Sequence, residues 1–205
     1  GVVARVIPSI KALENALLYG VDNVFLDKPV VSVDETKIIN GVQYDAVICA
    51  TEASAVNKVI KDSSPVFADF KYHPSTIYLH RDETFMPPEK KLWRTWSVFM
   101  APEHDEPQLT FWLNEFYPDA TFEGNVFQTW APVRTPQHDK IMKKSDFTRV
   151  LHTEESKDLV ARVDAEQGKR GIYYAGSYSV YGMGLLEQAL MSGRSAAEKV
   201  INDMF

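Results

Sequence analysis

Tyr173-Tyr174-Ala175-Gly176-Ser177-Tyr178-Ser179-Val180-Tyr181-Gly182-Met183-Gly184-Leu185-Leu186-Glu187-Gln188-Ala189-Leu190-Met191-Ser192-Gly193-Arg194-Ser195-Ala196-Ala197 is the stretch on which the fold turns. The run from Gly171 to Gly176 predicts a buried strand ending on glycine, and glycines 176, 182 and 184 predict a loop. From Leu185 to Met204 the apolar or small residues Leu186, Ala189, Leu190, Gly193, Ala196, Ala197, Val200 and Ile201 recur at helical spacing. A helix start presents unpaired N–H groups and partial positive charge, which suits an electron-rich oxygen. Glycine lets a planar ligand approach the backbone, and Gly193, Ala196 and Ala197 let the helix lie tight on a neighbour. The plain alternative is a strand–turn–helix packed by small residues, with no ligand.

Working outward, Ser156 to Gln167 predicts another helix. Between Phe67 and Val133 aromatic and β-branched residues gather in four runs: Ser75–His80, Leu92–Phe99, Gln108–Leu113 and Val126–Trp130. Their spacing predicts an antiparallel sheet, with an exposed polar loop around Met86-Pro87-Pro88. Nearer the N-terminus, Ile7 to Leu18 predicts a helix capped by Ser9 and stopped by Gly20. Val24–Leu26 and Val30–Val33 predict two strands around the turn Asp27-Lys28-Pro29. Asn40-Gly41 marks a hairpin. Ala46-Val47-Ile48-Cys49-Ala50 predicts a strand buried on both faces, followed by a short helix from Ala53 to Ile60. The expected fold is mixed α/β, with two interleaved lobes. Residues 1–62 and 160–205 form a partial Rossmann-like lobe, and 63–159 an inserted antiparallel one.

On these residues the chain resembles the flavin-containing amine oxidase and phytoene-desaturase superfamily. The family's closing motif is a strand, Ala-Gly, a loop, then Gly-x-x-Glu-x-Ala-x-x-Ser-Gly-x-x-Ala-Ala. The matching residues are Ala175, Gly176, Gly184, Glu187, Ala189, Ser192, Gly193, Ala196 and Ala197. The resemblance implies that backbone amides at Gly184, Leu185 and Leu186 hold the pyrimidine end of an FAD isoalloxazine. It implies further contacts at Gly176 and Ser177, and an adenine contact at Val30, in a segment similar to a family strand. Asp45 to Thr51 resembles the family's Asp-x-Val-Ile-x-Ala-Thr segment beside the dinucleotide. The middle of the chain then corresponds to a lobe that positions a small-molecule substrate for hydride transfer to flavin. No residue stands out as a general base.

The chain departs from the family in three ways. A Gly-x-Gly-x-x-Gly fingerprint, with its downstream ribose-binding acid, is absent from the sequence. Ser177 stands where an acid commonly follows Ala-Gly, and Gly184-Leu185-Leu186 where many relatives of this branch carry His-Glu-Asp. Together with an opening of Gly-Val-Val, these departures suggest the C-terminal two-thirds of an FAD-dependent oxidoreductase, with its dinucleotide-binding segment upstream and little activity alone. The alternative is an isolated or degenerate domain acting as a binding or assembly module.

Composition narrows the classes further. The 205 residues are 45% hydrophobic and 24% charged, with a net charge of −6. Basic residues occur in short groups such as Lys90-Lys91 and Lys143-Lys144, each beside acids, which argues against a nucleic-acid partner. No apolar run is long enough to span a membrane. The single cysteine, Cys49, excludes an internal disulfide and fits a reducing cytoplasm. The five histidines lack metal-ligand spacing. Hydrolase nucleophile motifs are absent from the sequence. Tyr178 and Tyr181 could face a flavin or cap the strand, Val30 could be an ordinary buried strand residue, and Glu187 is expected to cap its own helix. Trp93, Trp96, Trp112 and Trp130 are read as core before substrate cage.

Overall fold

The computed structural model describes residues 10–103 and 106–205. The first described element is helix α1 (Ile10–Leu17); the predicted first turn, Ile7 to Ser9 with its cap, lies outside the described residues. Strands β1 (Ile38–Ile39) and β2 (Val42–Gln43) form the expected hairpin, Asn40 and Gly41 both turning through positive φ. β3 (Val47–Cys49) leads into α2 (Ala53–Val59). The long middle segment holds β4 (Tyr72–His80), β5 (Trp96–Phe99), β6 (Gln108–Trp112), the short helix α3 (Leu113–Phe116), β7 (Phe127–Trp130) and β8 (Ile141–Val150). Helix α4 (Ser156–Asp164), strand β9 (Ile172–Tyr174) and helix α5 (Leu186–Met204) close the chain.

Two sheets organise these elements. β5-β6-β7-β4-β8 is a five-stranded antiparallel sheet. β3 and β9 pair in parallel, Val47 opposite Ile172 and Cys49 opposite Tyr174. The antiparallel sheet is therefore inserted in sequence between the two strands of the parallel pair. The fold is mixed α/β.

Under the parallel pair lies the main core, where Val33, Val56, Ile60, Phe67, Phe70, Val163, Ile172, Tyr174 and Tyr178 are all buried together. Each large apolar side chain removed from water there contributes roughly 1.5–3 kcal/mol. Phe67 packs on Tyr174 with ring centroids 4.5 Å apart, and Phe70 meets Tyr178 edge-on at 5.3 Å. On the other side, Tyr173 and Ala175 pack on Ala196 of α5. The antiparallel sheet is tied to the start of α2, where the Ala53 N–H donates to the Tyr72 hydroxyl of β4 at 2.8 Å.

Several sequence expectations need correction. Val24–Leu26 and Val30–Val33 form no strands; only Val33 makes a bridge, to Ile60. β-propensity is realised only against a partner strand, and Leu26 and Val31 stand 79% and 80% exposed. β3 is not buried on both faces, since Ile48 is 41% exposed. The Met86 loop is not simply exposed: Phe85 and Met86 are buried, and Met86 packs with Trp93 and Phe127. Glu187 does not cap α5. Gln188 does, its side-chain oxygen accepting from the Leu185 N–H at 2.7 Å. β8, the longest strand, has no counterpart among the four predicted ones.

Candidate functional site

β3 and β9 both end at the same side of the parallel pair, where ligand sites of α/β sheets are found. From there the chain runs through Gly176 and Ser177, turns at Gly184 and enters α5 through Leu185 and Leu186. These five predicted residues thus form one arc from strand end to helix start. Gly176 has φ 153°, and its N–H donates to the Ser192 hydroxyl of α5 at 2.8 Å. Ser192 in turn donates to the Ala189 carbonyl at 2.8 Å. Gly184 has φ 67°, and a Cβ there would lie 3.2 Å from Val150. Both glycines are therefore required by the protein's own backbone and neighbours, independently of any ligand.

Tyr178 sits in the core with its hydroxyl lacking a hydrogen-bond partner among the described residues, and burial pushes its pKa up. Tyr181 lies at the surface, its ring 5.7 Å from that of His152 and 5.2 Å from the Lys157 ammonium. His152 contacts the Ser177 carbonyl through Nε2 at 3.1 Å. A carbonyl only accepts, so Nε2 carries the proton. The other ring nitrogen, Nδ1, is buried without a partner among the described residues. It is an unfilled polar position beside the arc, and sequence reading did not single it out.

Val30 lies elsewhere. It lines a cavity of about 320 Å³ with Phe25, Lys28, Ile39, Asn40, Val42 and Tyr44. The Lys28 ammonium stands 4.5 Å over the Phe25 ring. Two rings and aliphatic walls can receive a flat aromatic ligand.

The antiparallel sheet holds a second polar constellation. Strand register puts Gln108, Thr110, Thr129, Tyr78 and His80 on one sheet face. His80 Nδ1 accepts from the Asp82 N–H at 3.1 Å, and Nε2 meets the Thr129 hydroxyl at 2.8 Å. Thr129 meets Thr110 at 2.9 Å, and the Gln108 side chain accepts from the Val133 N–H at 3.2 Å. Burial pushes His80 down to about 4, opposed by Asp82 and aided by Arg134. Burial alone would raise Asp82. Hydrogen bonds from Thr84 and Gln137, with the Arg134 charge, outweigh it and hold the carboxyl at about 2. Asp82 is thus an anion and His80 a neutral ring at neutral pH. Among the described residues no cluster of His, Cys, Asp and Glu is arranged to hold a metal ion, and His104 lies outside them.

With this geometry in hand, comparison with known proteins is informative at the level of fold. No protein-family model and no curated protein matches the chain. Among solved structures, reduced UDP-galactopyranose mutase superimposes with a TM-score of 0.62 at 16% identity, over 87% of this chain and 48% of that one. The CLA-producing fatty acid isomerase from P. acnes superimposes with a TM-score of 0.60 at 11% identity, over 96% of this chain and 52% of that one. The chain shares their fold. It spans about half the length of each. No helix among the described residues is long and apolar enough to cross a membrane.

Proposed function

We propose that this chain is part of an FAD-dependent oxidoreductase of the amine oxidase type. The observation that carries the reading is the arc Gly176–Ser177–Gly184–Leu185–Leu186, set at the carboxyl ends of a parallel strand pair and leading into a long helix. Residues 1–62 and 160–205 would then belong to the FAD-binding lobe and 63–159 to the substrate lobe. Fold similarity to the mutase and the isomerase supports the architecture. Those two proteins are named for a UDP-sugar and a fatty acid, so they do not single out a substrate.

The residues present fit such a cofactor in two respects. The buried, unpartnered His152 Nδ1 beside Ser177 offers a polar contact, and the Val30 cavity offers a slot for an aromatic ring. FAD, when bound, supplies the hydride-accepting centre. Gly184, Leu185 and Leu186 would present backbone to the pyrimidine edge, the Leu185 N–H exchanging its Gln188 partner for the ligand. Gly176 and Ser177 would line the approach to the phosphates, and Val30 would face adenine. An upstream dinucleotide-binding segment would supply the phosphate contacts that this sequence lacks. The buried free thiol of Cys49 fits a cytoplasmic setting.

The test is the visible spectrum of the purified chain after incubation with excess FAD and desalting. Retained flavin absorbance supports the assignment. A chain that never retains FAD overturns cofactor binding by these residues alone. That outcome favours the second reading, a non-catalytic binding or assembly domain, for which the absent dinucleotide fingerprint speaks.

A further inference from the structure

Arg134 stands where two cavities of the antiparallel lobe meet. One, of about 500 Å³, is lined by polar side chains including Thr76, Tyr78, Glu106, Thr135 and Lys144. The other, of about 330 Å³, is walled by Phe85, Met86, Pro87, Pro88, Val98 and Phe99. Both are lined by Val133 and Arg134. Their volumes lie in the range of small-molecule sites, and a mostly apolar wall with few fixed polar groups is the usual make-up of such sites.

The guanidinium is held in place from behind. Its carbon lies 4.1 Å above the Phe85 ring, its Nη2 donates to the Thr84 hydroxyl, and its Nη1 is 3.6 Å from the fully buried Asp82 carboxylate. Asp82 is itself fixed by Thr84, Gln137 and the backbone link to His80. Arg134 is nevertheless 47% exposed along its side chain, and among the described residues it donates a hydrogen bond only to Thr84. The remaining N–H groups form a fork that suits a planar carboxylate.

The other charges at this place are already engaged. Lys144 pairs with Asp146 at 3.0 Å, and Glu106 with His73 at 2.6 Å. Arg134 is thus one available cation, partly offset by Asp82, with Glu106 across the cavity. That balance suits a single negative charge and disfavours a phosphate dianion.

We propose that Arg134 and these two cavities form a binding site for an amphipathic monocarboxylate. The carboxylate sits on the guanidinium, and the hydrocarbon lies in the cleft between Phe85–Pro88 and Val98–Phe99. This binding claim does not depend on the flavin reading, and its test needs no flavin.

Isothermal titration of the full chain with decanoate, decanol and decyl phosphate at pH 8 tests it. The expected result is saturable one-to-one decanoate binding, at least about tenfold tighter than decanol or decyl phosphate. Arg134→Met should weaken decanoate about tenfold or more and leave decanol unchanged, while Val98→Asp, at an exposed position, should weaken both. Should Arg134→Met fail to fold, Arg134→Lys replaces it and is expected to bind decanoate several-fold more weakly, because the fork is lost. Absent saturable binding, equal affinity for decanoate and decanol, or an unchanged decanoate affinity in the Arg134 variant overturns the site. Tighter binding of decyl phosphate overturns the monocarboxylate assignment.

Discussion

An alanine at position 176 would place its Cβ 2.6 Å from the Tyr178 ring and 3.1 Å from the Thr51 carbonyl, on a backbone with φ of 153°. Tyr178 is pinned by Phe67 and Phe70, so the ring has little freedom to retreat. Gly176→Ala is therefore expected to cost about 1–3 kcal/mol, read as a lowered urea midpoint with an unchanged slope. His80 supplies a second prediction. Its folded pKa of about 4 lies below the ordinary 6.5, so between those values the unfolded chain binds the extra proton. Stability is then fully present above about pH 6.5 and falls as pH drops toward 4, by up to about 3 kcal/mol. Asp82, held at about 2 against 3.8, adds its own loss only below that window. Urea midpoints from pH 7 to pH 4 should show the slope, and His80→Gln should flatten it. Gly176 and Gly184 were legible in the sequence because glycine spacing is local. His80, Asp82 and Arg134 were not, because they meet only when a strand, a turn and a loop after another strand are folded together.

At the scale of elements, Ser192 is the tie between α5 and the end of β9. It is buried, accepts from Gly176 and donates to Ala189. Ser192→Ala leaves the Gly176 N–H without its acceptor and is expected to cost about 1–3 kcal/mol, with hydrogen exchange at Gly176 accelerated beyond its neighbours. The strand–loop–helix around this tie could be read from residues alone, since its periodicity changes within a few positions. β8 could not. Lys143, Lys144, Asp146 and Arg149 fall on both its faces, as an edge strand paired only with β4 permits. Its hold comes from across the ladder, Thr76 donating to Asp146 at 2.6 Å, and no alternation along β8 announces that. The converse error at Val24–Leu26 and Val30–Val33 has the same root. Those residues carry strand propensity but find no neighbouring strand.

In the molecule as a whole, the tryptophans and the parallel pair lie apart. All four, Trp93, Trp96, Trp112 and Trp130, belong to the segment inserted between β3 and β9. Tryptophan fluorescence therefore reports the antiparallel lobe, while circular dichroism follows α5 as well. Pairings within the inserted sheet join residues closer in sequence than Val47 and Ile172, and closing the longer loop costs more entropy. On refolding from urea, fluorescence is expected to recover ahead of helical dichroism; one shared exponential for both probes would count against this. The same pairing has a consequence for biosynthesis. During translation Val47 leaves the ribosome long before Ile172, so one half of the parallel sheet waits unpaired, its apolar residues available to chaperones, until Ile172 has emerged.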